Sequence, residues 1–225
     1  MSGGTSTREA CTIEVGNGVN LDARLYRASA SSAASVAVLV HPYTVLGGCQ
    51  WLMRGIATGL ADRGLTALTF DMRGAGKSSG RASLTGFPEV DDVVSVCKWI
   101  CSNLSTRRIL LIGSSAGAPI AGSAVDRVEE AVGYVGIGYP FGLTASILFG
   151  RHHGAILQSP KPKLFVMGSR DGFTSVKQLE KKLKNSAGVT RTHLIEGAGH
   201  FQMEGAAFDQ QMVALILQFF ASLSL

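Results

Sequence analysis

Three residue types that together perform acyl transfer occur in this 225-residue chain in the order serine, aspartate, histidine, each just past a short apolar run. The serine lies in Ile109-Leu-Leu-Ile-Gly113-Ser114-Ser115-Ala116-Gly117-Ala118, where Gly-x-Ser-x-Gly joins an apolar strand to a predicted helix. A strand–turn–helix of this kind strains its central residue, exposes the hydroxyl and points a helix N-terminus at the charge that develops beside it. The flanking glycines let strand and helix approach without Cβ clashes. In a chain with 28 glycines the bare motif says little, and its strand and helix context makes it informative. Ser115 is the candidate nucleophile, and Ser114 should point away.

A serine hydroxyl needs a base, and the base needs an orienting acid. Both are expected downstream, in loops at the C-terminal ends of later strands. Leu164-Phe-Val-Met-Gly168-Ser-Arg-Asp171-Gly172 supplies the acid, and Leu194-Ile-Glu-Gly-Ala-Gly199-His200-Phe201 the base. Taken singly, Asp171 reads as a helix cap and His200 as a surface histidine. Three residues in this order and context read as a catalytic triad. Glu196 lies too close to its strand, Glu204 follows the histidine, and Asp209 fits better as a cap of the last helix. His193 begins a strand and reads as structural. His152-His153 are expected in an irregular segment bordering the pocket. Neither a carboxylate nor a third ligand has metal-site spacing to them, so no metal and no other cofactor is expected.

An oxyanion hole requires two backbone N–H groups aimed at one point. Ala116 should supply one. The other should come from His41-Pro42-Tyr43-Thr44-Val45-Leu46-Gly47-Gly48, where Pro42 has no N–H and Tyr43 is the first candidate beyond His41. Arg73-Gly74-Ala75-Gly76-Lys77-Ser78 imitates the end of a phosphate-binding loop, but Asp71 stands where that pattern needs glycine and no helix follows at once. ATP binding is not expected.

These residues require a scaffold. Cys11–Val15 and Leu21–Tyr26 read as a hairpin turned by Gly16-Asn17-Gly18, after an N-terminus (1–10) expected to be disordered. Strands follow at Val36–Val40, Leu65–Phe70, Ile109–Ile112, Ala131–Ile137, Leu164–Met167 and His193–Ile195. Helices are expected at Trp51–Asp62, from Pro88 to about Cys101, at Ala116–Val125, near Leu143–Phe149, at Val176–Lys184 and at Phe208–Leu223. Repeated β-then-α units imply an α/β fold: a mostly parallel central sheet with an antiparallel N-terminal hairpin and helices on both faces. Residues 11–225 read as a single domain with no separate cap.

Bulk properties agree with a globular enzyme. Hydrophobic residues make up 46% and charged ones 16%, which argues against disorder. The net charge is +5, and the one lysine cluster (Lys177, Lys181, Lys182, Lys184) reads as a solvated helix face without interleaved aromatics, so no nucleic-acid partner is expected. Cys11, Cys49, Cys97 and Cys101 match neither a zinc site nor a disulfide framework, which suggests a reducing compartment. The longest apolar stretch, Met212 to Phe220, is too short to span a bilayer, and residues 1–9 lack a secretory apolar core. A cytoplasmic location and a small-molecule substrate are expected, and the oligomeric state is left open.

His41-Pro42-Tyr43, Asp71-Met-Arg-Gly74-Ala-Gly76-Lys-Ser78, Gly113-Ser-Ser115-Ala-Gly117, Asp171 and Gly199-His200 together resemble the landmarks of the α/β-hydrolase superfamily across nearly the whole chain. The chain is most similar to its small, largely capless members: the dienelactone-hydrolase-like and Xaa-Pro-peptidase-like groups, and uncharacterised plant α/β-hydrolases. Dienelactone hydrolases carry Cys where this chain has Ser115, so that substrate does not carry over. The family's usual His-Gly is His41-Pro42 here. The resemblance implies a serine hydrolase of small esters or thioesters, with a short-peptide peptidase or a ligand receptor on the same fold as alternatives. Candidate pocket residues are His41, Phe141, Leu148 and Phe201. The segment 139–154 is too short for a cap but long enough for a small lid, and its Phe141, Leu143, Ile147, Leu148 and Phe149 are either core or pocket wall.

Overall fold

The computed structural model describes residues 6–29, 35–42 and 47–223, with the side chains of 143–145 also outside the description. Alternation within the apolar runs decides the layering. In β3 (Ser35–Val40), Val36, Val38 and Val40 enter one core while Ala37 and Leu39 enter another. In β5 (Arg108–Ser114), Ile109 and Leu111 face the first core, Leu110 and Ile112 the second. A strand apolar at every position is one covered on both faces.

Those two strands lie at the centre of an eight-stranded sheet of order β1-β2-β4-β3-β5-β6-β7-β8. β1 (Thr7–Glu14), β2 (Asn20–Arg27) and β4 (Thr66–Phe70) pair antiparallel in succession. From β4 onward the sheet is parallel through β6 (Ala131–Ile137), β7 (Lys163–Gly168) and β8 (Thr190–Ile195). The first core is closed by α2 (Phe87–Leu104), α3 (Gly117–Ala124), Ile156 of α4 (Leu143–Gln158) and Leu179 of α5 (Val176–Leu183). The second is closed by α1 (Arg54–Asp62) and α6 (Asp209–Ala221), through residues such as Ile56, Leu60, Met212 and Ile216. Cys97 is fully buried in the first core and Cys101 packs partly against it.

Several boundaries differ from expectation. β1 begins at Thr7, inside the stretch expected to be disordered, because residues 7–10 pair with 24–27 and Glu9 accepts a 2.8 Å bond from Arg27. β8 begins at Thr190, before the expected His193, so His193 lies within the strand. The segment expected as one helix from Trp51 is a 3-10 turn, Gln50–Met53, leading into α1. α4 runs on through His152 and His153, which were expected in irregular structure. No helix among the described residues is long and apolar enough to cross a membrane.

The loop that imitates a phosphate-binding motif is a structural knot. The Asp71 carboxylate accepts the Gln50 backbone N–H (2.8 Å) and its side-chain amide (3.0 Å), while Ser78 Oγ donates to the Asp71 carbonyl at 2.6 Å. Arg73 holds the buried Asp92 of α2 through two bonds of 2.7 and 2.6 Å. Burial raises the Asp92 carboxyl above its ordinary range, and the Arg73 guanidinium opposes that rise.

Candidate active site

At the end of β5 the chain turns so sharply that Ser115 adopts φ +51°, the left-handed region that non-glycine residues seldom occupy. Its amide donates to the Ile137 carbonyl at 2.8 Å, which fixes the turn to β6. Gly113 and Gly117 are both required by contact. A Cβ on Gly113 would come within 2.5 Å of Ala118 Cα, and one on Gly117 within 2.3 Å of the His41 carbonyl oxygen. Ala116 follows at φ −66°, ψ −17°, immediately before α3.

The two partner loops converge on this turn. Ser115 Oγ lies 2.8 Å from His200 Nε2, and His200 Nδ1 lies 2.6 Å from Asp171 Oδ2. The other carboxylate oxygen of Asp171 accepts the backbone N–H groups of Phe173 (2.8 Å) and Thr174 (2.9 Å). An Nδ1–H donated to Asp171 leaves Nε2 as acceptor for the Ser115 hydroxyl. Asp171 and His200 are buried, while Ser115 keeps part of its surface open to solvent. Ser115, Asp171 and His200, read from the sequence as one group, are thus brought together, and Ala116 lies beside them. Tyr43 lies outside the described residues.

The candidate pocket residues divide. His41 is fully buried: Nε2 accepts the Met72 N–H at 2.9 Å and Nδ1–H donates to the Pro42 carbonyl at 2.5 Å. Burial lowers it to about 4, against the Pro42 bond and Asp71, so it is a neutral strut between two loops and not a pocket wall. Phe141 is also core, stacked on Tyr139 at 4.0 Å between ring centres. Leu148 and Phe201 remain exposed. His152 ties α4 to its neighbours, through Nδ1 to Ser123 Oγ (2.7 Å) and Nε2 to the Thr85 carbonyl (2.6 Å). His153 packs against Tyr139 and Phe141. Among the described residues, no group of three or more His, Cys, Asp or Glu could hold a metal ion.

Three further residues border the site: Phe149, which the sequence allows as core or pocket wall, Glu204, which it offers only as a poor triad acid, and Phe173, which it does not single out. Phe149 of α4 packs on Ala116. Phe173 lies 4.5 Å from the His200 ring, centre to centre, and 5.6 Å from Phe201 at 88°. Glu204 brings Oε1 to 3.9 Å from His200 Nε2, and that oxygen is buried without a hydrogen-bond partner among the described residues. Burial raises the Glu204 carboxyl, opposed by the His200 imidazole and the Ser115 hydroxyl and reinforced by Asp171. The signal for Glu204 was its spacing: residue i+4 from His200, on the 3-10 turn Phe201–Glu204.

Comparison with known proteins agrees with this architecture. An uncharacterised protein of Rickettsia prowazekii is 28% identical over 184 residues, covering 78% of this chain and 75% of the relative. An alpha-beta serine hydrolase homologue from Coxiella burnetii superposes with a TM-score of 0.78 at 24% identity, covering 93% of this chain and 97% of the other. The Pyrococcus furiosus esterase superposes with a TM-score of 0.81 at 20% identity, covering 96% and 91%. At such identities these structures speak for the fold alone. Residues 48–216 match the alpha/beta hydrolase domain, three-quarters of the chain with β4 to β8 and the Ser115, Asp171 and His200 loops inside it, and the chain belongs to that family.

Proposed function

We infer that the protein is a serine hydrolase that cleaves a small ester or thioester by two-step acyl transfer. The observation that carries this reading is the continuous hydrogen-bonded line from Ser115 Oγ through His200 to Asp171, built on a left-handed turn at the serine. His200 Nε2 takes the hydroxyl proton as Oγ bonds to the substrate carbonyl carbon. The same proton passes to the departing alkoxide or thiolate as the carbonyl–heteroatom bond breaks. Water then gives its proton to His200 and attacks the acyl-serine, releasing the acid and restoring Ser115. Asp171 fixes the tautomer and stabilises the imidazolium. The Ala116 N–H, at the N-terminal end of α3, is the proposed donor to the oxyanion. Tyr43 is kept as the second proposed donor on sequence grounds. The activity class is supported by family membership.

Labelling with a fluorophosphonate probe tests the reading. Wild type should label and Ser115→Ala should not, while both keep the same far-UV circular dichroism. A folded wild type that fails to label, and that turns over neither aryl esters nor thioesters, would refute it.

A further inference from the structure

Glu204 stands out because the proposed mechanism does not need it. An unpaired carboxylate oxygen next to a nucleophile is costly to bury and repels the oxyanion that acyl transfer must form. Its cost falls if the substrate brings a positive charge. The surroundings suit such a charge. Phe201 and Glu204 are three apart on a 3-10 turn, where side chains at that spacing eclipse one another. Phe201 is 67% exposed, and its ring meets that of Phe173 at right angles, both against the His200 ring. Aromatic rings and a carboxylate grouped around one imidazole bring together the chemistry that binds alkylammonium groups.

We propose that Glu204, with Phe173 and Phe201, is a specificity-determining group that selects esters bearing an ammonium group a few bonds from the scissile carbonyl. The inference rests on the serine-hydrolase reading and narrows its substrate class. Distances permit it: Ser115 Oγ and Glu204 Oε1 lie 2.8 and 3.9 Å from the same Nε2 atom, so an acyl chain on the serine starts within reach of the carboxylate. A carboxylate-bearing acyl chain in the same position meets like charge and is disfavoured, despite the chain's net charge of +5.

Three 4-nitrophenyl esters of matched length test this: 4-(trimethylammonio)butanoate, its neutral isostere 5,5-dimethylhexanoate, and the glutarate half-ester. In wild type, kcat/KM for the ammonium ester should exceed that of the neutral one by about tenfold or more, with the glutarate ester slowest. Glu204→Gln should bring the ammonium-to-neutral ratio within about threefold of unity, and the surface change Phe201→Leu should lower it by roughly threefold. Should Glu204→Gln not fold, the wild-type ratio and Phe201→Leu decide. Wild type that labels with fluorophosphonate but prefers the neutral ester, cleaves none of the three, or gives a ratio indifferent to both variants overturns this inference alone. Wild type that neither labels nor cleaves any ester removes the serine-hydrolase reading and this inference with it.

Discussion

Asp171 meets His200 with one carboxylate oxygen, at 2.6 Å, and spends the other on two backbone amides of its own loop. The carboxylate plane, and with it the imidazole, is therefore set by the loop backbone. Asp171→Asn can keep the amide bonds but must present either a donor or a weaker acceptor to Nδ1. The ring then favours the tautomer protonated at Nε2, which cannot accept from Ser115. Ester turnover should fall by about 10⁴-fold with little loss of stability. Steady-state kinetics beside urea unfolding checks both parts.

Gly117 is packed against the carbonyl oxygens of Val40 and His41, and a Cβ there would lie 2.6 and 2.3 Å from them. Both obstacles are backbone, so neither can rotate aside. Gly117→Ala should cost about 1–3 kcal/mol or more of folding free energy and shift β3 against α3. A lowered urea midpoint at unchanged slope, with weakened fluorophosphonate labelling, is the expected result.

Arg73 neutralises Asp92, whose side chain is fully buried in α2. Removing one partner of such a pair strands the other charge. Arg73→Ala should destabilise the fold by roughly 3–5 kcal/mol, and the double change Arg73→Met with Asp92→Leu should recover much of that. Chemical denaturation of the single and double variants tests the coupling.

His41 is neutral in the fold because burial holds it down at about 4, below its ordinary 6.5. The unfolded chain therefore binds this proton first as pH falls. The stabilisation is complete above about pH 6.5 and is lost progressively down to about pH 4, for a total of roughly 3 kcal/mol from this group. Unfolding free energies between pH 7.5 and 4.5 should decline accordingly. The His41 ring proton should show no titration by NMR above pH 5.

What the sequence disclosed followed burial. Val36–Val40 and Ile109–Ile112 were legible as central strands because both faces of each are covered, which leaves no polar position to blur the run. Ser115, Asp171 and His200 were legible because each follows such a strand in a glycine-bearing loop. The ends of the sheet were not. Thr7–Ala10 is exposed at every position and none of Thr190–His193 is buried, so backbone pairing holds these segments without any apolar pattern. α4 was cut short because two histidines imitate a loop, although Ser123 and Thr85 satisfy one of them in the interior. His41, a candidate pocket residue by sequence, is a neutral core strut. Glu204 follows the histidine and so reads as a poor triad acid, and only the 3-10 turn carries it back to the His200 ring.

β3 has β4 on one side and β5 on the other, and β5 follows it in the chain by about seventy residues. During synthesis at about 5–20 residues per second, the central apolar ribbon must wait several seconds or longer before its second edge is covered. In that interval the nascent chain exposes Val36–Val40 along one edge, a natural target for a holding chaperone. The segment that ends the wait carries the nucleophile at its tip. Coverage of the second edge of β3 and delivery of Ser115 are therefore a single event, and a ribosome-bound chain that ends before that segment has neither.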